Sequence, residues 1–352
     1  MFGTAEPSLQ RLTEGWAEFS SRASKAADPS RIRADVERLP APRSRLHWPE
    51  AMLACDRLLI DAFTQAGWMA QRHAFQLENV RGRLDYAHGR YPAGAKPAVY
   101  RKLVGANVVA IKRGVRPSGC FVVGAHHDTI RDSPGADDNT ASVAALLELA
   151  RVLGPFSFRE SLVLAAFDME ELSFFGSREL VRFLMEDQLI HGAVVYETMS
   201  YGSGEPNSQK VPGGFARLYP EQYRKMEDRG FRGDWTAVLY RSSSLELARA
   251  FGGAMVHEHG PESVVLLRDL ADLPVIGAVA RVAPVVGQFS RSDHLPFWRA
   301  GIPAILITDT ANFRNPNYHL PADRPETLDY SRVAAITAAT AVAIAKLAGL
   351  ET

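Results

Sequence analysis

Four short segments gather His, Asp and Glu in a chain that has only ten histidines among 352 residues. GAHHDT places His126, His127 and Asp128 directly after an apolar run, and SPGADDNTAS places Asp137 and Asp138 ahead of a helical pattern. FDMEELSFFGS supplies Asp168, Glu170 and Glu171, and NPNYHLPADRPETL supplies His319 in a Pro- and Asn-rich stretch. Each segment alone has an ordinary explanation. An acid before a helix is usually an N-cap, adjacent glutamates usually face water, and a lone loop histidine usually lies on the surface. Together they are harder to explain so. Neighbouring carboxylates at the ends of apolar strands repel one another unless a cation neutralises them. Imidazole nitrogen with carboxylate oxygen suits zinc, and a shared carboxylate can hold two ions at the ~3.5–4 Å spacing of co-catalytic centres. With no cysteine in these segments, an open catalytic site is expected over a closed structural one.

The elements that must carry these residues can be read from periodicity. EAMLACDRLLIDAFTQAG, residues 50–67, has apolar residues at helical spacing, with Gly67 as a stop, and the first ninety residues read as mainly helical. From Asn107 the texture changes to short β-branched runs, NVVAIKRG and CFVVGAHHD. Helices are predicted over 140–153, 177–185, 244–256 and 293–299, with a last one from Tyr330. Strands are predicted over 161–167 and 193–196, near Val264 and Val275, and from Ala304 in AILIT. Such alternation implies an α/β fold: one large domain with a mostly parallel, mixed sheet between helices. Ligands in such folds collect beyond the carboxyl ends of the strands, where the acids and histidines fall. The expected organisation is a helical segment over 1–90 packed on a catalytic domain over 91–352. Residues 201–235, rich in Gly, Pro and Ser, read as an inserted functional loop.

Bulk properties exclude some partners. Forty basic residues balance forty acidic ones, so no global field draws the chain to nucleic acid or an anionic membrane. No run approaches the ~20 apolar residues of a membrane span, and the N-terminus does not read as a signal peptide. Cys55 and Cys120 are too few for a disulfide framework, which fits a reducing cytoplasm.

The ordered blocks GAHHDT, SPGADDN, MEE, FFGS and YH resemble the M28 zinc peptidases, and SRSDHLPFWRAGIPA is similar to a further family segment. That family includes bacterial aminopeptidases, glutamate carboxypeptidases and the related glutaminyl cyclases. The resemblance runs from about Asn107 to the C-terminus. It implies two zinc ions: His126 and Glu197 on one, Glu171 and His319 on the other, and Asp138 bridging both. Glu197 stands where family aminopeptidases often carry Asp. The resemblance also makes Glu170 the general base and Asp128 the residue that orients His126.

These roles imply hydrolysis of N-terminal residues from peptides. Tyr318 is placed to hydrogen-bond the developing oxyanion. His127, on an extended segment between two functional positions, points to the other face and is expected to pack or hydrogen-bond. Asp168 has no role that its spacing requires. Rival readings are a one-zinc glutaminyl cyclase, a carboxypeptidase, and a binding protein that has lost catalysis. The carboxypeptidase would need cations for a substrate carboxylate, and Arg291, Arg314 and Arg324 lie in suitable segments but read as surface charges.

Overall fold

A computed structural model describes residues 6–84, 97–273 and 284–351. The strands are β1 (Met69–Arg83), β2 (Pro97–Lys112), β3 (Gly119–His126), β4 (Ser157–Phe158) and β5 (Ser161–Phe167). They continue as β6 (Leu189–Glu197), β7 (Thr236–Tyr240), β8 (Val264–Arg268), β9 (Ala304–Thr308) and β10 (Leu350–Glu351). Eight form one sheet in the order β1-β2-β5-β3-β6-β9-β7-β8, and β4 pairs with β10. The centre, β5-β3-β6-β9, is parallel throughout, as is β7 with β8. Pairing is antiparallel between β1 and β2, β2 and β5, and β7 and β9. This is the mixed, mostly parallel sheet that the sequence predicts.

Every residue of β3 and β5 is buried, as strands covered on both faces must be. Alternation along β5 sends Leu162, Leu164 and Ala166 into one core and Val163, Ala165 and Phe167 into the other. The first core is closed by the helices Ala141–Leu153, Leu245–His259 and Tyr330–Ala348, with Glu14–Ala26 and Pro29–Arg38 packed on these and Pro49–Gln65 packed on β1 and β2. The second is closed by Phe175–Asp187, His294–Arg299 and residues of the 201–235 segment. Tyr330–Ala348 has the length and hydropathy of a membrane span, but most of it is buried in the first core.

Two differences from the sequence expectation bear on the site. Three helices, Glu14–Ala26, Pro29–Arg38 and Pro49–Gln65, precede Gly67 at φ +83°, but residues 69–83 are then a long strand. As an edge strand with charges on both faces, β1 lacks the clean alternation that would announce it. The expected boundary near residue 90 lies outside the described residues, as does the strand expected at Val275. Residues 201–235 contain two short helices, Phe215–Leu218 and Pro220–Asp228, and the next strand, β7, follows at once.

Candidate metal centre

Three adjacent strands end in site residues. His126 is the last residue of β3 and pairs in register with Phe167, whose chain continues into Asp168–Glu171. Glu197 is the last residue of β6, one beyond Tyr196, the partner of Ala125. Asp138 and His319 arrive on loops. Asp138 lies in the tight turn Ala136–Thr140, entered through Gly135 at φ +61°. A side chain at Gly135 would place its Cβ 2.3 Å from the Asp138 carbonyl oxygen, so only glycine fits. Asn139 ties the turn to β6, donating to the Tyr196 carbonyl at 2.9 Å and accepting the Thr198 N–H at 3.2 Å.

These residues converge on the Asp138 carboxylate. Its Oδ1 lies 3.1 Å from His126 Nε2, which in turn lies 3.4 Å from Glu197 Oε2. Its Oδ2 lies 2.9 Å from His319 Nε2, and Glu171 Oε1 is 3.8 Å from that nitrogen. All are buried except Glu197, which is partly so. Donor atoms of His126, Asp138 and Glu171 lie within 4.8 Å of one another, close enough to share an ion. His126 Nε2 and both Asp138 oxygens are buried without a hydrogen bond of acceptable geometry. Buried polar atoms normally have partners, so three such atoms aimed at one space fit a missing cation. Their nitrogen and oxygen donor set suits zinc.

Electrostatics agree. Burial and the neighbouring Asp138 carboxylate raise Glu171 to about 7. Burial also pushes Glu170 well above the usual carboxyl range; Arg83 and His126 oppose this, while Glu197 and Glu171 add to it. Burial disfavours a charge on His126, yet Glu197, Asp128 and Asp138 raise it well above the ordinary imidazole value. Asp138 is held well below the carboxylate range by His126 and His319, against the effect of its own burial.

Asp128 accepts the N–H groups of Glu170 at 3.1 Å and Glu171 at 3.2 Å. Its backbone carbonyl, at 3.0 Å, is nearer to His126 Nδ1 than its carboxylate at 3.5 Å. The residue expected to orient His126 therefore also positions the Glu170–Glu171 pair. The Tyr318 ring stacks on His319 with centroids 3.8 Å apart, and its hydroxyl lies 3.5 Å from Arg291 Nη2.

A model of peptidase family M28 matches residues 107–232 and 245–344. The chain belongs to family M28. The uncharacterized protein YfbL of Escherichia coli K12 is 32% identical over 242 residues, which cover 65% of this chain and 67% of YfbL. A probable zinc metalloprotease of Leptosphaeria maculans is 26% identical over 274 residues, 70% of this chain but only 58% of that protein. Among solved structures, a zinc aminopeptidase from Bacillus subtilis superposes with a TM-score of 0.66 at 15% identity, covering 92% of this chain and 96% of that one. A Porphyromonas gingivalis glutaminyl cyclase superposes at 0.60 and 15%, covering 92% and 99%. The two structural likenesses establish the fold.

Behind the M28 site lies a second buried layer. His127 points away from the ligands, as expected, with Nε2 3.1 Å from Asp56 Oδ1 and Nδ1 2.7 Å from the Phe167 carbonyl. Asp168 accepts Arg45 Nε at 2.6 Å and the Ala106 N–H at 2.8 Å; Arg45 also binds both oxygens of Asp56. The fully buried Arg43 donates to the His127 carbonyl and, at 2.8 Å, to Thr140 Oγ1. The N-terminal segment thus props the end of β3 that carries His126 and the turn that carries Asp138.

Two arginines that read as surface charges are not. Arg314 is buried, donating to Gln209 Oε1 at 2.8 Å and the Trp235 carbonyl at 2.7 Å. Arg291 is half-buried against a cavity, held by Gln288 and Asn312 side-chain oxygens at 2.8 Å each. Arg324 is exposed, as expected. The cavity, of about 110 Å³, is lined by Glu197 and Tyr318 together with Phe215, Met226, Trp235, Leu239 and Phe289. Sequence reasoning also missed Ser292, whose hydroxyl donates to Glu197 at 2.7 Å, and Asp323, which supports the Asp138 turn. Asp323 stands four residues beyond His319, in a segment already rich in candidates, and proximity was the available signal.

Proposed function

We propose that this M28 chain is a zinc-dependent aminopeptidase with a co-catalytic pair of ions. The observation that carries this reading is the division of Asp138: one oxygen faces His126, whose Nε2 also lies near Glu197, and the other faces His319, whose Nε2 also lies near Glu171. His126, Glu197 and Asp138 would hold one ion, and His319, Glu171 and Asp138 the other. When bound, the ions lower the pKa of a water towards neutrality and polarise the substrate carbonyl.

The chain's own residues do the rest. Glu170, buried beside the ligands and not needed as one, takes a proton from the attacking water and passes it to the leaving amine. The Tyr318 hydroxyl, next to Arg291, donates to the oxyanion that develops on the carbonyl. Glu197 lines the cavity, where its carboxylate attracts a free N-terminal ammonium. The apolar lining favours a bulky apolar side chain on the first residue. Three of the five apolar lining residues named, Phe215, Met226 and Trp235, come from the 201–235 segment, so that segment sets the preference.

The test combines metal analysis with products. About two zinc ions per chain are expected, with single amino acids released from free N-termini only and leucine or phenylalanine favoured over acidic residues. One ion per chain, with ammonia lost from a Gln-initial peptide, would replace the hydrolase by a cyclase. Release from the C-terminus would make it a carboxypeptidase.

A further inference from the structure

Asp323 has no part in the chemistry just described, yet it is fully buried next to the centre. Its two oxygens accept two consecutive backbone N–H groups, Asp137 at 2.8 Å and Asp138 at 3.1 Å. Among the described residues, no cationic side chain lies within ion-pair distance of it, and the charges bearing on it are those of Asp137 and Asp138. Burying an uncompensated carboxylate weakens a fold, and two N–H donors offset that only in part.

The same construction occurs across the site. Asp128 accepts two consecutive N–H groups, those of Glu170 and Glu171. In each case the second amide belongs to a residue aimed at the metal position, Glu171 or Asp138. In each case the carboxylate follows closely on a histidine: Asp128 two residues after His126, and Asp323 four after His319. Each histidine-bearing segment thereby grips the main chain under an acidic ligand that arrives from a distant part of the sequence. Asp137 is itself tied down by Asn315 Nδ2 at 2.7 Å and the Ser200 N–H at 3.0 Å, which leaves the turn little freedom once Asp323 holds its amides.

We propose that Asp323 is a positioning residue of the metal centre: it fixes the main chain beneath Asp138, so that the bridging carboxylate is aligned before any ion binds. The inference rests on the reading of Asp138 as a metal ligand. Removing a group that orients a ligand typically weakens metal affinity ~10–100-fold.

The experiment measures zinc affinity of the full chain by competition with a chromophoric chelator. Asp323→Ala removes both acceptors, and Asp323→Asn keeps one. Phe158→Leu, in β4 of the separate two-stranded sheet, is the control for general destabilisation. Asp323→Ala should bind zinc ~10–100-fold more weakly. Asp323→Asn should fall between it and the wild type, and Phe158→Leu should match the wild type. Zinc affinity of Asp323→Ala within twofold of wild type, or an equal loss in Phe158→Leu, would overturn the proposal. If Asp323→Ala does not fold, Asp323→Asn decides by the same comparison. A wild-type chain that binds no zinc would instead sink the metal reading itself, and the proposal with it.

Discussion

Asp138 Oδ2 stands 2.9 Å from His319 Nε2 while its Oδ1 stands 3.1 Å from His126 Nε2, so one carboxylate faces both histidines. Replacing it should disable both halves of the centre together. Asp138→Ala is expected to drop zinc from about two ions per chain to below one and to cost more than ~10²-fold in activity, beyond the range for outer-shell changes. Metal analysis after dialysis checks this, and retention of one tightly held ion would show that the two halves are independent.

Glu170 should separate chemistry from binding. Glu170→Gln keeps the side chain's shape, so zinc content should stay at the wild-type level while kcat falls ~10²–10⁴-fold. Steady-state kinetics with parallel metal analysis decides the matter; a kcat within tenfold of wild type would remove Glu170 from the proton path.

The pH dependence follows from Glu171. Its folded pKa of about 7 lies above the ordinary value of 4.5, so its proton stabilises the metal-free fold at low pH. That contribution is complete below pH 4.5 and is lost as pH rises through 7. On the proposed reading zinc displaces that proton, so apparent zinc affinity should rise at least tenfold per pH unit up to pH ~7. His126, also raised, adds in the same direction. Zinc titrations between pH 5 and 8 check this, and a flat profile would refute it.

Arg45 compensates two buried carboxylates, Asp168 and Asp56, from behind the site. Arg45→Met strands Asp168, while Asp56 keeps Arg72 Nε at 3.0 Å and His127 Nε2 at 3.1 Å; breaking a buried pair by removing one partner costs about 3–5 kcal/mol. Denaturant unfolding of the metal-free protein should register that loss; a loss below ~1 kcal/mol would mean that neighbouring groups take over the compensation.

What was legible in the sequence follows from burial. Ser161–Phe167 and Ala304–Thr308 are buried throughout, so their apolar runs are continuous and their limits plain. β1 is an exposed edge whose sequence is mostly polar, and β7 is five residues directly after a Gly- and Pro-rich stretch, so neither has a pattern to read. In the site, His126, Asp138, Glu171 and His319 stand out as candidate ligands because residues able to hold a metal are few in kind and these are clustered. Asp323 and Asn139 act on backbone amides and carbonyls, a task that leaves no residue pattern. Arg314 reads as a surface charge because nothing local marks its acceptors, Gln209 and the Trp235 carbonyl, far away in sequence.

The alternation along β5 makes that strand intolerant of length change. Deleting one residue between Ser161 and Phe167 would turn Leu162, Leu164 and Ala166 from one core into the other. It would also draw the Asp168–Glu171 corner back by ~3.3 Å, one strand step, out of reach of the Asp128 carboxylate. Insertions and deletions should therefore be absent from this strand in any working variant of the chain.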